Sequence, residues 1–122
     1  MIRSIMIEDY EDINQLWQNT DGIGLSDADS EKNIMRFLKR NEGLSYLYEE
    51  NGTILGTVLC GHDGRRGYIY HLAVHKDRRN SGIGKKLLST SMVALKEVGI
   101  QKCHIFVFRV NKNGSEFWLH HG

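Results

Sequence analysis

The sequence predicts a mixed α/β fold: a mostly antiparallel sheet with one parallel pair of strands and helices on both faces. Three observations carry this. Asn51-Gly52 separates the apolar runs "LSYLYEE" and "TILGTVLCGHD". That dipeptide is a strong hairpin signal, because both turn residues need positive φ. The stretch "YIYHLAV" is followed by "GIGKKLLSTSMVALKEVG" and then "QKCHIFVFRV". A strand, a helix and a second strand in that order form a crossover unit, and its two strands run parallel. Upstream, Ile13, Leu16 and Trp17 recur at helical spacing.

The elements follow in order. "MIRSIMI" has apolar residues at 2, 5 and 7 and reads as a first strand. "EDYEDINQLWQNT" is a helix, and "DGIGLSD" breaks its pattern. Ser26 or Asp27 caps a second helix with Ile34, Phe37 and Leu38 on one face. The hairpin at Asn51-Gly52 comes next, then a second hairpin turning between Gly64 and Gly67. "YIYHLAV" is the fourth strand. The third helix buries Leu87, Leu88, Met92 and Leu95 and stops at Gly99. A fifth strand and a last helix beginning in "NGSEFWLHHG" complete the order β-α-α-β-β-β-α-β-α.

The chain has 122 residues, which sets one domain as the expectation. It is 40% hydrophobic and 25% charged with a formal net charge of +1. No global field therefore draws it to nucleic acid or to an anionic membrane. No apolar run is long enough for a membrane span, and the N-terminus has no signal-peptide core, so a cytoplasmic location is expected. Cys60 and Cys103 lack metal or redox spacing and fit reduced, buried thiols.

The segment "HKDRRNSGIGKKLL", residues 75–88, carries the chemistry. A helix start exposes unpaired N–H groups and the positive end of the helix dipole. Gly82 and Gly84 let a ligand approach the backbone closely. Arg79 adds a bidentate donor, and Lys85 and Lys86 add point charges. Basic side chains at this end oppose the dipole unless an anion neutralises them, so the segment reads as a phosphate site. Two familiar phosphate motifs fail. A Walker loop needs Gly at 79 and Ser or Thr at 86, which are Arg and Lys; a dinucleotide fingerprint needs Gly at 87, which is Leu.

"HLAVHKDRRNSGIGKKLL" resembles motif A of the GCN5-related N-acetyltransferases, the GNAT superfamily. Its signature, Arg/Gln-x-x-Gly-x-Gly/Ala, corresponds to Arg79-Asn80-Ser81-Gly82-Ile83-Gly84. The element order is similar along the chain, and "GTVLCGHDGRRG", residues 56–67, resembles small bacterial members. The family's downstream pattern Asn-x-x-Ala-x-x-Phe-Tyr-x-x-x-Gly is matched by Asn111, Phe117 and Gly122, with Gly114 for Ala and Trp118 for Tyr.

The resemblance implies a GNAT-like fold and transfer of an acetyl group from acetyl-CoA to a primary amine of a small molecule or peptide, with no metal. It implies that the diphosphate of the co-substrate lies on Arg79, Asn80, Ser81, Gly82, Ile83, Gly84, Lys85 and Lys86. Leu72, Ala73 and Val74 would line the thioester, with the Val74 N–H meeting its carbonyl oxygen, and Asn111 would lie near the pantetheine arm. Trp118 stands where the family has its acid, and a non-catalytic acyl-CoA-binding module is the alternative reading.

A base is required, because an alkyl amine of pKa ~10.4 is almost wholly protonated at neutral pH. Strict alternation along the fourth strand puts Tyr68, Tyr70 and Leu72 on one face and Ile69, His71 and Ala73 on the other. Family bases sit at positions matching 68 and 70, so Tyr70 and Tyr68 are the catalytic candidates, with His71 on the wrong face. The acceptor pocket is expected at "TDGIGLSD", with Asp21 or Asp27 attracting the amine. His120 and His121 cannot share a helical face, and no His pair has metal-binding spacing. The family fold continues with two more strands, so residues 1–122 are expected to form one acetyltransferase-like domain lacking them. That would leave "CHIFVFRV" as an edge for a second copy to cover in a homodimer.

Overall fold

A computed structural model describes residues 1–105. Asn111, Gly114, Phe117, Trp118, His120, His121, Gly122, the last helix and most of the "CHIFVFRV" edge lie outside the described residues. Five strands form one sheet in the order β1-β2-β3-β4-β5. They are β1 (Ile2–Ser4), β2 (Tyr46–Glu50), β3 (Thr53–His62), β4 (Gly67–Val74) and β5 (Cys103–Ile105). The first three pairings are antiparallel, and β4 and β5 run parallel, Gly67 facing Cys103. The helices are α1 (Tyr10–Gln18), α2 (Glu31–Arg40) and α3 (Ile83–Glu97).

The two faces of the sheet have separate cores. On one face Val58, Cys60 and Ile69 pack with Ile83, Leu87 and Leu95 of α3. On the other Leu47, Leu59 and Ala73 pack with Ile13, Leu16 and Trp17 of α1 and Ile34 of α2. Both cysteines are free and buried. Burial pushes the Cys60 thiol up to about 12 and the Cys103 thiol up to about 11. The glycines of residues 56–67 make room for helices. A Cβ on Gly56 would lie 2.9 Å from Ile83 and Leu87, and one on Gly67 would lie 2.6 Å from Leu95. Their absence lets α3 sit close against β3 and β4.

The predicted turns form as expected. Asn51 and Gly52 have φ of 53° and 81° and join β2 to β3. Asp63 closes the next hairpin, its Oδ1 accepting the N–H groups of Arg65 and Arg66 at 2.9 Å each. Gly99 ends α3 region in the left-handed conformation, φ 89°. One cap differs from expectation. Ser26 caps a short 3₁₀ turn over Asp27–Asp29, and Ser30 caps α2 by accepting the Asn33 N–H at 3.2 Å. Two capping residues in sequence split what reads as a single helix start.

The larger correction concerns β4. Thr57 faces Ala73 and Leu59 faces Tyr70, so Val58 alone opposes both His71 and Leu72. This is a β-bulge, and its first residue, His71, has φ 46°. The extra residue breaks the alternation. Leu72 and Val74 pack on the α3 side with Ile69, whereas Tyr70 and Ala73 pack on the α1–α2 side. His71 joins them there, its ring in edge contact with Trp17 at 4.7 Å. The expected faces of His71, Leu72 and Ala73 are therefore reversed relative to Tyr70.

Candidate active site

After β4 the chain makes a short 3₁₀ turn at Lys76–Arg78 and reaches α3 through residues 79–82. Arg78 is held back toward the sheet. Its guanidinium donates to Glu50 at 2.6 and 3.1 Å, and Tyr48 donates to the same carboxylate at 2.9 Å. Those partners hold the Glu50 carboxyl down at about 2. The Ser81 hydroxyl donates to the Arg78 carbonyl, which tightens the bend. Asn80 takes φ 65°, a conformation Asn tolerates better than most residues, and Gly82 takes φ 87° as the N-cap of α3.

No side chain caps α3 at Gly82, and its first turn holds no acidic residue. The first helical bond runs from the Lys86 N–H to the Gly82 carbonyl at 3.0 Å. The N–H groups of Ile83, Gly84 and Lys85 therefore precede the intrahelical ladder. Arg79, Asn80, Ser81, Gly82, Lys85 and Lys86 are all exposed around them. A Cβ on Gly82 would meet no atom of the described residues within 4 Å. On Gly84 a Cβ would reach Val74 at 3.4 Å, an ordinary contact. Ile83 is buried and anchors the helix start in the core.

Val74 ends β4 beside this loop. The His75 N–H donates to the Leu55 carbonyl at 2.8 Å, which makes His75 and Leu55 the hydrogen-bonded pair. Val74, opposite Gly56, then falls in a non-hydrogen-bonded pair, and its N–H points away from β3 toward the side on which β5 lies.

On the opposite face a cleft of about 460 Å³ opens between β4 and the loop joining α1 to α2. Gly22, Ile23, Gly24 and Ser26 line it, so the loop expected to form the acceptor pocket does border a cavity. The carboxylate within it is that of Asp29 rather than Asp21 or Asp27. Asp29 Oδ1 lies 2.6 Å from Nε2 of His71, and both side chains are largely buried. Asp29 Oδ2 accepts the Ser26 N–H at 3.0 Å, and the Asp29 carbonyl accepts the Tyr10 hydroxyl at 2.6 Å. An ionised carboxylate can only accept, so the neutral imidazole carries its proton on Nε2 and keeps its lone pair on Nδ1.

The bulge that turns His71 into the cleft is itself tied down. The Thr57 hydroxyl donates to the His71 carbonyl at 3.0 Å and accepts the Trp17 indole N–H at 2.9 Å. Thr57 is fully buried and Trp17 nearly so. Tyr70 also lines the cleft, and burial raises its phenol above the usual range. Tyr68 donates to Asp63 at 3.1 Å, at the hairpin end of β4, and that bond raises its phenol as well. Raised phenols are poorer proton acceptors at neutral pH. Among the described residues no group of three or more His, Cys, Asp or Glu is placed to hold a metal ion. No described helix is long and apolar enough to cross a membrane.

The crossover helix of this mixed sheet thus starts on an uncapped, basic, glycine-containing turn. Residues 7–122 match the model of the Acetyltransferase (GNAT) family, and the chain belongs to that family. An acetyltransferase from Yersinia pestis is 37% identical over 106 residues, covering 87% of this chain and 74% of that protein. An acetyltransferase from Pectobacterium atrosepticum gives the same identity and coverage, 37% over 106 residues, 87% and 74%. Among solved structures, the PaiA N-acetyltransferase of Thermoplasma acidophilum, crystallised with coenzyme A, superposes with a TM-score of 0.82 at 22% identity, over 100% of this chain and 87% of that one. A GNAT-family acetyltransferase from Staphylococcus aureus gives 0.84 at 21% identity, over 100% of this chain and 81% of that one. At such identities the likeness speaks for the fold.

The structure thus gathers residues 79–86 at one helix end and sets Val74 beside them. It brings Tyr70 into a different cavity and leaves Tyr68 at the hairpin. His71 and Asp29 are the pair that sequence reading missed. Only a bulge could have signalled His71, and nothing in the sequence around Val58 announces one.

Proposed function

We propose that the chain transfers the acetyl group of acetyl-CoA to a primary amine by direct attack. The observation that carries this reading is the start of α3. The N–H groups of Ile83, Gly84 and Lys85 precede the helical ladder at an uncapped helix start, with the exposed guanidinium and ammonium groups of Arg79, Lys85 and Lys86 around them. Such an arrangement suits a diphosphate. Asn80 and Ser81 shape the bend, and Leu72, Ala73 and Val74 lead from it along β4 toward the thioester. Asn111 is assigned to the pantetheine arm.

In the reaction the amine nitrogen attacks the thioester carbon, the C–S bond breaks, and an amide and a thiolate result. The ammonium must first lose a proton, since at ~10.4 its pKa leaves under about 0.1% free amine at neutral pH. Nδ1 of His71 faces this task better than the raised phenols of Tyr70 and Tyr68. Asp29 fixes the tautomer and stabilises the imidazolium that forms. Tyr70 shapes the cleft wall. The Val74 N–H, aimed away from β3, suits the oxygen on which charge develops. The thiolate, with pKa ~8.5, leaves without needing a strong acid.

Isothermal calorimetry with coenzyme A and a thiol-release assay with an amine panel test the proposal. Uptake of coenzyme A with amine-dependent thiol release is expected. Uptake without release would turn the reading to a non-catalytic acyl-CoA-binding module, and no uptake would end it.

A further inference from the structure

The cleft beside His71 restricts the acceptor further, on the reading that it is where the amine binds. Its walls are apolar: Ile23 from the loop, Ile34 and Phe37 from α2, and Leu59 and Tyr70 from the sheet. The rings of Phe37 and Tyr70 meet edge to face at 6.2 Å. The carboxylate present, that of Asp29, has both oxygens engaged, one by His71 Nε2 at 2.6 Å and one by the Ser26 N–H at 3.0 Å. No lysine or arginine lines the cleft among the described residues.

A second ammonium group would have to shed its water against these walls with no free anion to receive it. A phosphate or carboxylate on the acceptor would find no cation. An apolar body would be stabilised by the area it buries, and about 460 Å³ falls in the size range of small-molecule pockets. We infer that the acceptor is a monoamine whose amino group is borne on an apolar or aromatic body, rather than a polyamine or an anionic amine.

The test is thiol release from acetyl-CoA with phenethylamine, spermidine and glucosamine-6-phosphate offered in parallel. The expected kcat/KM for phenethylamine is about tenfold or more above either of the others. Spermidine or glucosamine-6-phosphate equalling phenethylamine would overturn the inference while leaving acetyl transfer to amines intact. Coenzyme A uptake by calorimetry with no thiol release from any of the three would overturn the amine-transfer reading as well. The variant Ile23→Asp, in the loop and outside the helices, places a free carboxylate in the cleft. It should move the spermidine-to-phenethylamine ratio up by about tenfold at unchanged coenzyme A affinity. An unchanged ratio in that variant would count against the inference.

Discussion

Nε2 of His71 and Oδ1 of Asp29 lie 2.6 Å apart, joining a bulge in the fourth strand to the turn before the second helix. The contact engages one ring nitrogen, Nε2. Neither residue is near the other in sequence, and each owes its position to a local irregularity: one extra residue in β4, and one 3₁₀ turn ahead of α2.

His71→Gln should lower kcat/KM by about 10²- to 10⁴-fold, the range for removing a general base. Asp29→Asn, which keeps a hydrogen-bonding side chain but loses the charge, should give a smaller loss. Coenzyme A affinity should hold in both. An unchanged kcat/KM in His71→Gln would remove His71 from the chemistry.

Arg79 and Arg78 are neighbours with different tasks, and calorimetry can separate them. Arg79→Ala should weaken coenzyme A binding by about ten- to a hundredfold, as expected for a charged hydrogen bond to phosphate. Arg78→Ala releases Glu50 and loosens the turn, so it should lower the melting temperature and change affinity less. Equal losses of affinity from the two would show that charge alone, not position, serves the loop.

Thr57→Val preserves shape and removes a hydroxyl that serves two partners. The buried Trp17 indole N–H would lose its acceptor and the His71 carbonyl its donor. A destabilisation of about 1–3 kcal/mol by urea denaturation is expected for the orphaned buried group. Activity should fall by more than stability accounts for, because the bulge that aims His71 relaxes. A fully active, destabilised variant would show that the bulge stands without this bond.

Acid stability should depend on Asp63. The Arg66 and Arg65 N–H groups hold its carboxyl down at about 2 in the folded chain, against ~3.9 when unfolded. A lowered folded value means the unfolded chain takes up the proton first. The stabilising contribution is therefore complete above roughly pH 4 and is lost as pH falls toward about 2. In Asp63→Ala the urea midpoint should fall less steeply across that window; an identical slope would rule Asp63 out as the source.

Much of this was legible in the chain. Asn51-Gly52 announced its hairpin because few dipeptides tolerate positive φ twice. Ile13, Leu16 and Trp17 announced α1 through their spacing, and Gly82 and Gly84 announced the turn at which α3 begins. The loop at residues 20–27 was legible as a cleft wall, but the His71–Asp29 pair was not. Period-2 alternation fails wherever a strand gains a residue, and the bulge opposite Val58 depends on Thr57, Trp17 and the β3 register together. Asp29 was hidden for a related reason: Ser26 and Ser30 are both good caps, and only the folded loop shows that a short turn separates them.

Because β4 changes the facing of its side chains halfway along, its nearest neighbours in sequence serve opposite sides of the sheet. Leu72 and Val74 look toward α3, while Tyr70 and His71 look toward the loop after α1. The two sets of side chains belong to separate core clusters on opposite faces of one strand. On the function proposed above, substitutions confined to residues 22–29 would change the acceptor without touching residues 79–86, which would make this small sheet a starting point for engineering new amine selectivities.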